Sequence, residues 1–97
     1  GIRERRFVGV ADTSATLGTT AARNALAAAG LTPADVDLIV CGTVTPDTMC
    51  PSAACLIQAA LGCRPIPAFD VTAACSGFVY ALAVGDQFVR TGTAQTA

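Results

Sequence analysis

Three observations on these 97 residues predict an α/β fold with a mainly parallel sheet. Residues 38–41 and 68–71 are short apolar runs with the continuous hydrophobicity of strands buried on both faces. Longer segments with helical start and stop residues lie between and after them. The order reads β-α-β-α-β-α, the arrangement that puts helices on both sides of a parallel sheet.

Each element has a local reason. Residues 2–10 alternate imperfectly and are expected to form the first strand, arginine-rich at its start. Asp12, Thr13 and Ser14 offer capping oxygens for a helix running through Ala29. Ala15, Ala22, Leu26 and Ala29 give it an apolar stripe, and Gly30 suits the position just past its end. Thr32-Pro33-Ala34-Asp35 has the pattern of a short capped turn, with Asp35 reaching back to the cap. A strand over 38–41 follows, then a loop over 42–50 that carries Pro46 and Asp47. Pro51 is expected to open a helix through Leu61, stopped at Gly62. Pro65 and Pro67 precede the strand at 68–71, and the last helix is expected from about Cys75 to Arg90.

Composition narrows the function. The chain is 53% hydrophobic and only 13% charged, against about 25% charged in an ordinary soluble domain. A small domain has a high surface-to-volume ratio and needs more polar surface, so these apolar faces are expected to be covered by further protein. The net charge of −1 carries no nucleic-acid footprint. All basic residues are arginines, with Arg3, Arg5 and Arg6 clustered. There is no histidine, and the five cysteines match neither C-x-x-C nor a zinc ribbon, so no metal site is expected. Scattered thiols point to a reducing cytoplasm. The uncharged stretches are shorter than a membrane span and are broken by Pro or Gly, so no membrane association is expected.

Cys75 is the residue with chemistry to offer. An apolar run ends on small residues, meets this thiol, and continues as a helical pattern through Phe78, Val79 and Leu82. A cysteine at such a strand-to-helix junction lies near the positive end of a helix dipole, which favours thiolate, the attacking form. Ala73, Ala74, Ser76 and Gly77 leave room for a substrate. The same logic exposes the serine of a G-x-S-x-G turn. The competing role for Cys75 is that of a small buried hydrophobe, the common state of free cysteine.

Four stretches then carry a resemblance: Gly1-Ile2-Arg3-Glu4-Arg5-Arg6, Pro51-Ser52-Ala53-Ala54-Cys55, Ala68-Phe69-Asp70-Val71, and Ala73-Ala74-Cys75-Ser76-Gly77-Phe78. In these the chain resembles β-ketoacyl-acyl carrier protein synthase III, the priming condensing enzyme of bacterial fatty acid synthesis. The chain-elongating synthases look instead like D-T-A-C-S-S around their cysteine. The resemblance implies a thiolase-like layered fold of two similar α/β halves, usually dimeric. Residues 1–97 would form a partial N-terminal domain, open at both ends, with the C-terminal half elsewhere. It implies that Cys75 takes an acyl group from a short acyl-coenzyme A. Decarboxylative condensation with malonyl-acyl carrier protein then yields a 3-oxoacyl-carrier protein. It implies no cofactor beyond acyl-coenzyme A as substrate. The histidine and asparagine that assist condensation would come from the second half, since the only asparagine here is Asn24.

Other positions keep two readings. Cys50 stands where the resemblance places a residue lining the partner subunit's acyl pocket, often an aromatic. It implies either a roomier pocket or a neutral loop change. Arg3 fits the coenzyme A entrance or a solvated strand end. Cys41, Cys55 and Cys63 are expected to pack, and Asp70 to accept structural hydrogen bonds, because a buried carboxylate without partners is costly. Phe78 and Tyr80 are expected to be helix-packing residues. Two alternatives to fatty acid priming remain: a relative from a polyketide or secondary-metabolite pathway, and a catalytically inert truncated chain.

Overall fold

The computed structural model describes residues 1–97. Three helices flank a parallel pair of strands in the order α1 (Ser14–Ala29), β1 (Ile39–Gly42), α2 (Ala53–Leu61), β2 (Ala68–Val71), α3 (Gly77–Arg90). Single 3-10 turns occupy Pro33–Asp35 and Ala74–Ser76.

The helix ends follow the capping residues. Thr13 begins α1 with a reciprocal box: its hydroxyl accepts from the Thr16 amide at 3.2 Å, and its own amide donates to Thr16 Oγ1 at 2.8 Å. Gly30 and Gly62 close α1 and α2 in the left-handed conformation, which glycine adopts without steric cost. In the Pro33 turn, Asp35 Oδ2 accepts from both the Thr32 amide and the Thr32 hydroxyl.

β1 and β2 pair in parallel, Ile39 opposite Ala68 and Gly42 opposite Val71. Parallel strands need a crossover, and α2 supplies it. Val40 and Gly42 face α3, whose Phe88 ring lies 6.4 Å from the Phe69 ring. Ile39 lies with Ile57 and Leu61 of α2 on the opposite face, and α1 packs outside α2. The result is three layers, with Leu38, Ala53, Ala54 and Ile57 buried at the α1–α2–sheet junction.

Asp70 is the anchor of this arrangement. Its carboxylate accepts the amides of Ala53 and Ala54, both at 2.8 Å. Ser52 Oγ accepts the Cys55 amide at 3.2 Å. The first three amides of α2 are therefore satisfied from outside the helix. The expected structural hydrogen bonding of Asp70 is present in full.

Several expectations change. Residues 2–10 form no strand. A strand exists only where a neighbouring edge accepts its ladder, and nothing pairs with this segment. Its only structure is the turn from Gly9 to Asp12, and Phe7 and Val10 are fully exposed. The helix expected from Pro51 begins at Ala53, because Ser52 is extended and acts as the cap. The last helix begins at Gly77 rather than Cys75, after a separate 3-10 turn. β1 and β2 are half-buried rather than buried, since the sheet has two strands and both edges are open.

A second carboxylate ties the end of the chain to the sheet. Asp37 Oδ2 accepts the amides of Gln95 and Thr96 at 2.8 and 3.2 Å, and Asp37 Oδ1 pairs with Arg64. These amides, with the Arg64 charge adding, hold the Asp37 carboxyl below the ordinary carboxylate range.

Two outcomes follow for the full-length gene product. Asp70→Ala leaves two amides of α2 without their acceptor and should cost about 1–3 kcal/mol, read as a lower urea midpoint; an unchanged midpoint would contradict the anchoring role. For Asp37 the folded pKa is depressed, so its contribution is complete above the unfolded value and is lost as pH falls through the folded one. The stability gap between wild type and Asp37→Asn should therefore narrow as pH drops below the usual carboxylate range. A gap constant across that range would show that the Asp37 charge contributes nothing.

Candidate functional site

The turn over residues 72–76 joins β2 to α3 and carries Cys75. Two residues give it its shape. Ala74 has φ +45°, a region that costs a non-glycine residue about 1–3 kcal/mol and concentrates at functional turns. Ala73 closes the turn by accepting the Ser76 amide at 3.0 Å. Cys75 projects as an exposed, free thiol with no hydrogen-bond partner. It precedes by two residues the first turn of α3, a 14-residue helix.

The three helix starts differ. Thr13 caps α1, Ser52 and Asp70 cap α2, and no side chain caps α3. The first-turn amides of α3 point toward the side of the fold on which the Cys75 turn lies.

The other cysteines separate cleanly from it. Burial, reinforced by the negative charges of Asp70 and Asp47, pushes the Cys41 thiol up. Burial does the same at Cys63, opposed by Arg64. Cys55 donates its thiol to the Ala68 carbonyl at 3.4 Å. These three act as packing groups, as expected of them.

Cys50 is exposed at the end of the loop over 43–50, beside Met49, which is 98% exposed. The loop is pinned to the start of α1 by Asp47, which accepts the Ala15 amide at 3.2 Å, and by the Ser14 hydroxyl donating to the Thr45 carbonyl at 2.6 Å. Arg3 is exposed in the N-terminal segment, where Arg6 pairs with Glu4 and Arg3 pairs with nothing. No hydrogen bond or ion pair joins Arg3, Cys50 and Cys75 within the chain.

Phe78 and Tyr80 do not pack within the chain. They are 74% and 56% exposed, and with Val79 and Leu82 they leave the first half of α3 apolar and largely uncovered. A groove of about 440 Å³ runs between β1 and α3, lined by Val40, Gly42, Phe78, Leu82 and Val89. Cys75 does not line it. No three Cys, Asp or Glu side chains converge as metal ligands, and no helix is long and apolar enough to cross a membrane.

Sequence reasoning missed one feature of the site. The end of β1 touches the start of α3 backbone to backbone, through Gly42 and Gly77. The signal was present as two glycines, one closing an apolar run and one following the thiol. Nothing in the sequence said that they meet.

Comparison with known proteins agrees with this geometry. Residues 69–97, which contain most of β2, Cys75 and α3, match the family model for 3-oxoacyl-[acyl-carrier-protein (ACP)] synthase III. The chain is 56% identical over 95 residues to the β-ketoacyl-[acyl-carrier-protein] synthase III of Shewanella oneidensis, covering 98% of this chain and 30% of that protein. The solved 3-oxoacyl-[acyl-carrier-protein] synthase III of Aquifex aeolicus superposes with a TM-score of 0.85 at 45% identity, over 90% of this chain and 28% of that one. The tetronic acid condensing enzyme AbyA1 superposes with a TM-score of 0.82 at 44% identity, over 86% of this chain and 26% of that one. The chain thus spans about 30% of the length of the curated relatives it matches. Within that span its α/β fold is thiolase-like, and its sequence is similar to the β-ketoacyl-[acyl-carrier-protein] synthase III enzymes.

Proposed function

We propose that these residues form the acyl-accepting part of a condensing enzyme, with Cys75 as the residue that carries the acyl group. The observation that carries this reading is the exposed, unpartnered thiol on a strained turn at the β2–α3 junction. Similarity to the synthase III enzymes supports the choice of thioester as substrate.

The chemistry runs in two stages. Cys75 Sγ, as thiolate, attacks the carbonyl carbon of a short acyl-coenzyme A. The new carbon–sulfur bond forms, the bond to coenzyme A breaks, and coenzyme A leaves as its thiolate. Exchange between two thioesters is close to balanced, so the acyl group is held without loss of its activation. The backbone amide of Cys75 serves as one donor to the oxyanion of this step. In the second stage malonyl-acyl carrier protein loses carbon dioxide, and its C2 carbanion attacks the acyl carbon and displaces Cys75 Sγ. The histidine and asparagine that assist this stage in the family have no counterpart here. The chain has no histidine, and Asn24 lies in the middle of α1. Arg3, exposed and unpaired, is available to the phosphates of coenzyme A. Cys50 lines the acyl pocket of a partner subunit in a homodimer. The thioester substrates and five unpaired thiols suit the cytoplasm.

A second reading rests on the similarity to AbyA1, a tetronic acid condensing enzyme. The Cys75 step is unchanged in it, and the acyl donor or acceptor comes from a polyketide or other secondary-metabolite route. The 56% identity to the β-ketoacyl-[acyl-carrier-protein] synthase III of Shewanella oneidensis, against 44% to AbyA1, favours the first reading.

Two experiments on the full-length gene product test these assignments. Incubation with radiolabelled acetyl-coenzyme A should label wild type with one acyl group per chain and leave Cys75→Ala unlabelled; equal labelling of the two removes Cys75 from its role. If Cys50 sets the pocket, Cys50→Phe should lower kcat/KM for long acyl-coenzyme A far more than for acetyl-coenzyme A. Each buried methylene contributes about 0.8 kcal/mol, or roughly fourfold. An equal fall for both substrates makes Cys50 a loop residue without influence on chain length.

A further inference from the structure

We infer that Gly42, at the end of β1, is a positioning residue for Cys75, and that it must stay without a bulky side chain for the thiol to reach its substrate correctly. The inference rests on the reading of Cys75 as the acyl carrier.

The end of β1 holds both feet of the Cys75 turn. On the incoming foot, the Thr43 amide donates to the Val71 carbonyl at 3.2 Å, and the Thr72 hydroxyl donates to the Thr43 carbonyl at 3.4 Å. On the outgoing foot, Gly42 lies against Gly77. A Cβ on Gly42 would sit 2.7 Å from both the carbonyl carbon and the oxygen of Gly77, and 3.1 Å from the Phe78 amide nitrogen. Contacts below 3.0 Å force a shift, and these atoms are backbone, so no side-chain rotation relieves them.

The requirement is one-sided. A Cβ on Gly77 would meet Gly42 at 3.6 Å, an ordinary contact. The demand for a bare Cα therefore falls on Gly42. Gly77 is buried and begins α3, so displacement there passes to the thiol two residues earlier. The turn has little slack to absorb it, because Ala74 already lies at φ +45° and Thr72 is tied to Thr43. Misplacement of a reacting group by about 1 Å reduces rates by as much as a hundredfold.

The test uses the full-length gene product and the single-turnover rate of Cys75 acylation by acetyl-coenzyme A. Gly42→Val should lower the maximal rate by about tenfold or more. The half-saturating concentration should stay within about twofold, the pattern of a group that acts through the position of the thiol and not through substrate binding. Gly42→Ala, with one methyl, should fall between wild type and Gly42→Val. Alkylation of the half-buried Cys41 reports whether the fold stays closed. A wild-type acylation rate in Gly42→Val overturns the inference, as does a loss expressed in the half-saturating concentration alone. If Gly42→Val exposes Cys41, Gly42→Ala decides: a reduced rate with Cys41 still protected upholds the inference, and a wild-type rate overturns it. If wild type itself takes no acyl label, the proposed function fails, and the positioning role is then read without substrate. The ratio of Cys75 to Cys50 alkylation by iodoacetamide should differ by about threefold or more between wild type and Gly42→Val; an unchanged ratio rejects it.

Discussion

The carboxylate of Asp70 is the constraint on which the rest of this structure depends. Parallel strands cannot be joined by a tight turn, so β1 and β2 require the α2 crossover. α2 has nine residues, too few to persist alone in water. Asp70 supplies what the helix lacks by accepting its first two amides directly from β2. Crossover and strand are thereby fixed to one another, and β2 leaves the sheet in a defined direction. That direction delivers the chain to the Cys75 turn.

The same device recurs throughout the chain. Five of the six aspartates accept backbone amides: Asp12 from Gly9, Asp35 from Thr32, Asp37 from Gln95 and Thr96, Asp47 from Ala15, and Asp70 from α2. The sixth, Asp86, pairs with Arg90 one turn along α3. In a chain with so few charged residues, carboxylates serve backbone groups that no ladder or helix satisfies. α3 is the exception, with no side chain at its start. The chain thus binds down its structural turns and leaves the start of α3, beside Cys75, without a cap.

Exposure of the apolar residues follows from the same economy. Only nine of the 97 residues are buried, whereas Phe7, Val10, Met49 and Phe78 are largely or fully exposed. Isolated exposed apolar residues are ordinary, but a run such as Phe78, Val79, Tyr80 and Leu82 on one helix marks a surface built to be covered. The low charge predicted such faces, and the structure locates them on α3 and in the N-terminal segment. The relatives, about three times the length of this chain, have protein to spare for covering them.

Local chemistry was legible in the sequence wherever a residue and its neighbours decide the outcome. Thr13, Gly30, Thr32 with Asp35, and Gly62 mark their helix ends, because capping involves groups within a few residues. Two strands, three helices and the thiol at the β2–α3 junction were readable from apolar runs and punctuation. Elements that need a distant partner were not. Residues 2–10 carry strand-like alternation, yet no edge receives them, and pairing is a property of two segments. The sequence by itself determined that a cysteine stands between a strand and a helix, and the structure showed it to be exposed. Only the tertiary structure decided how it is held. It brought Thr43 to Val71 and Gly42 to Gly77, contacts across about thirty residues that depend on strand register and helix placement.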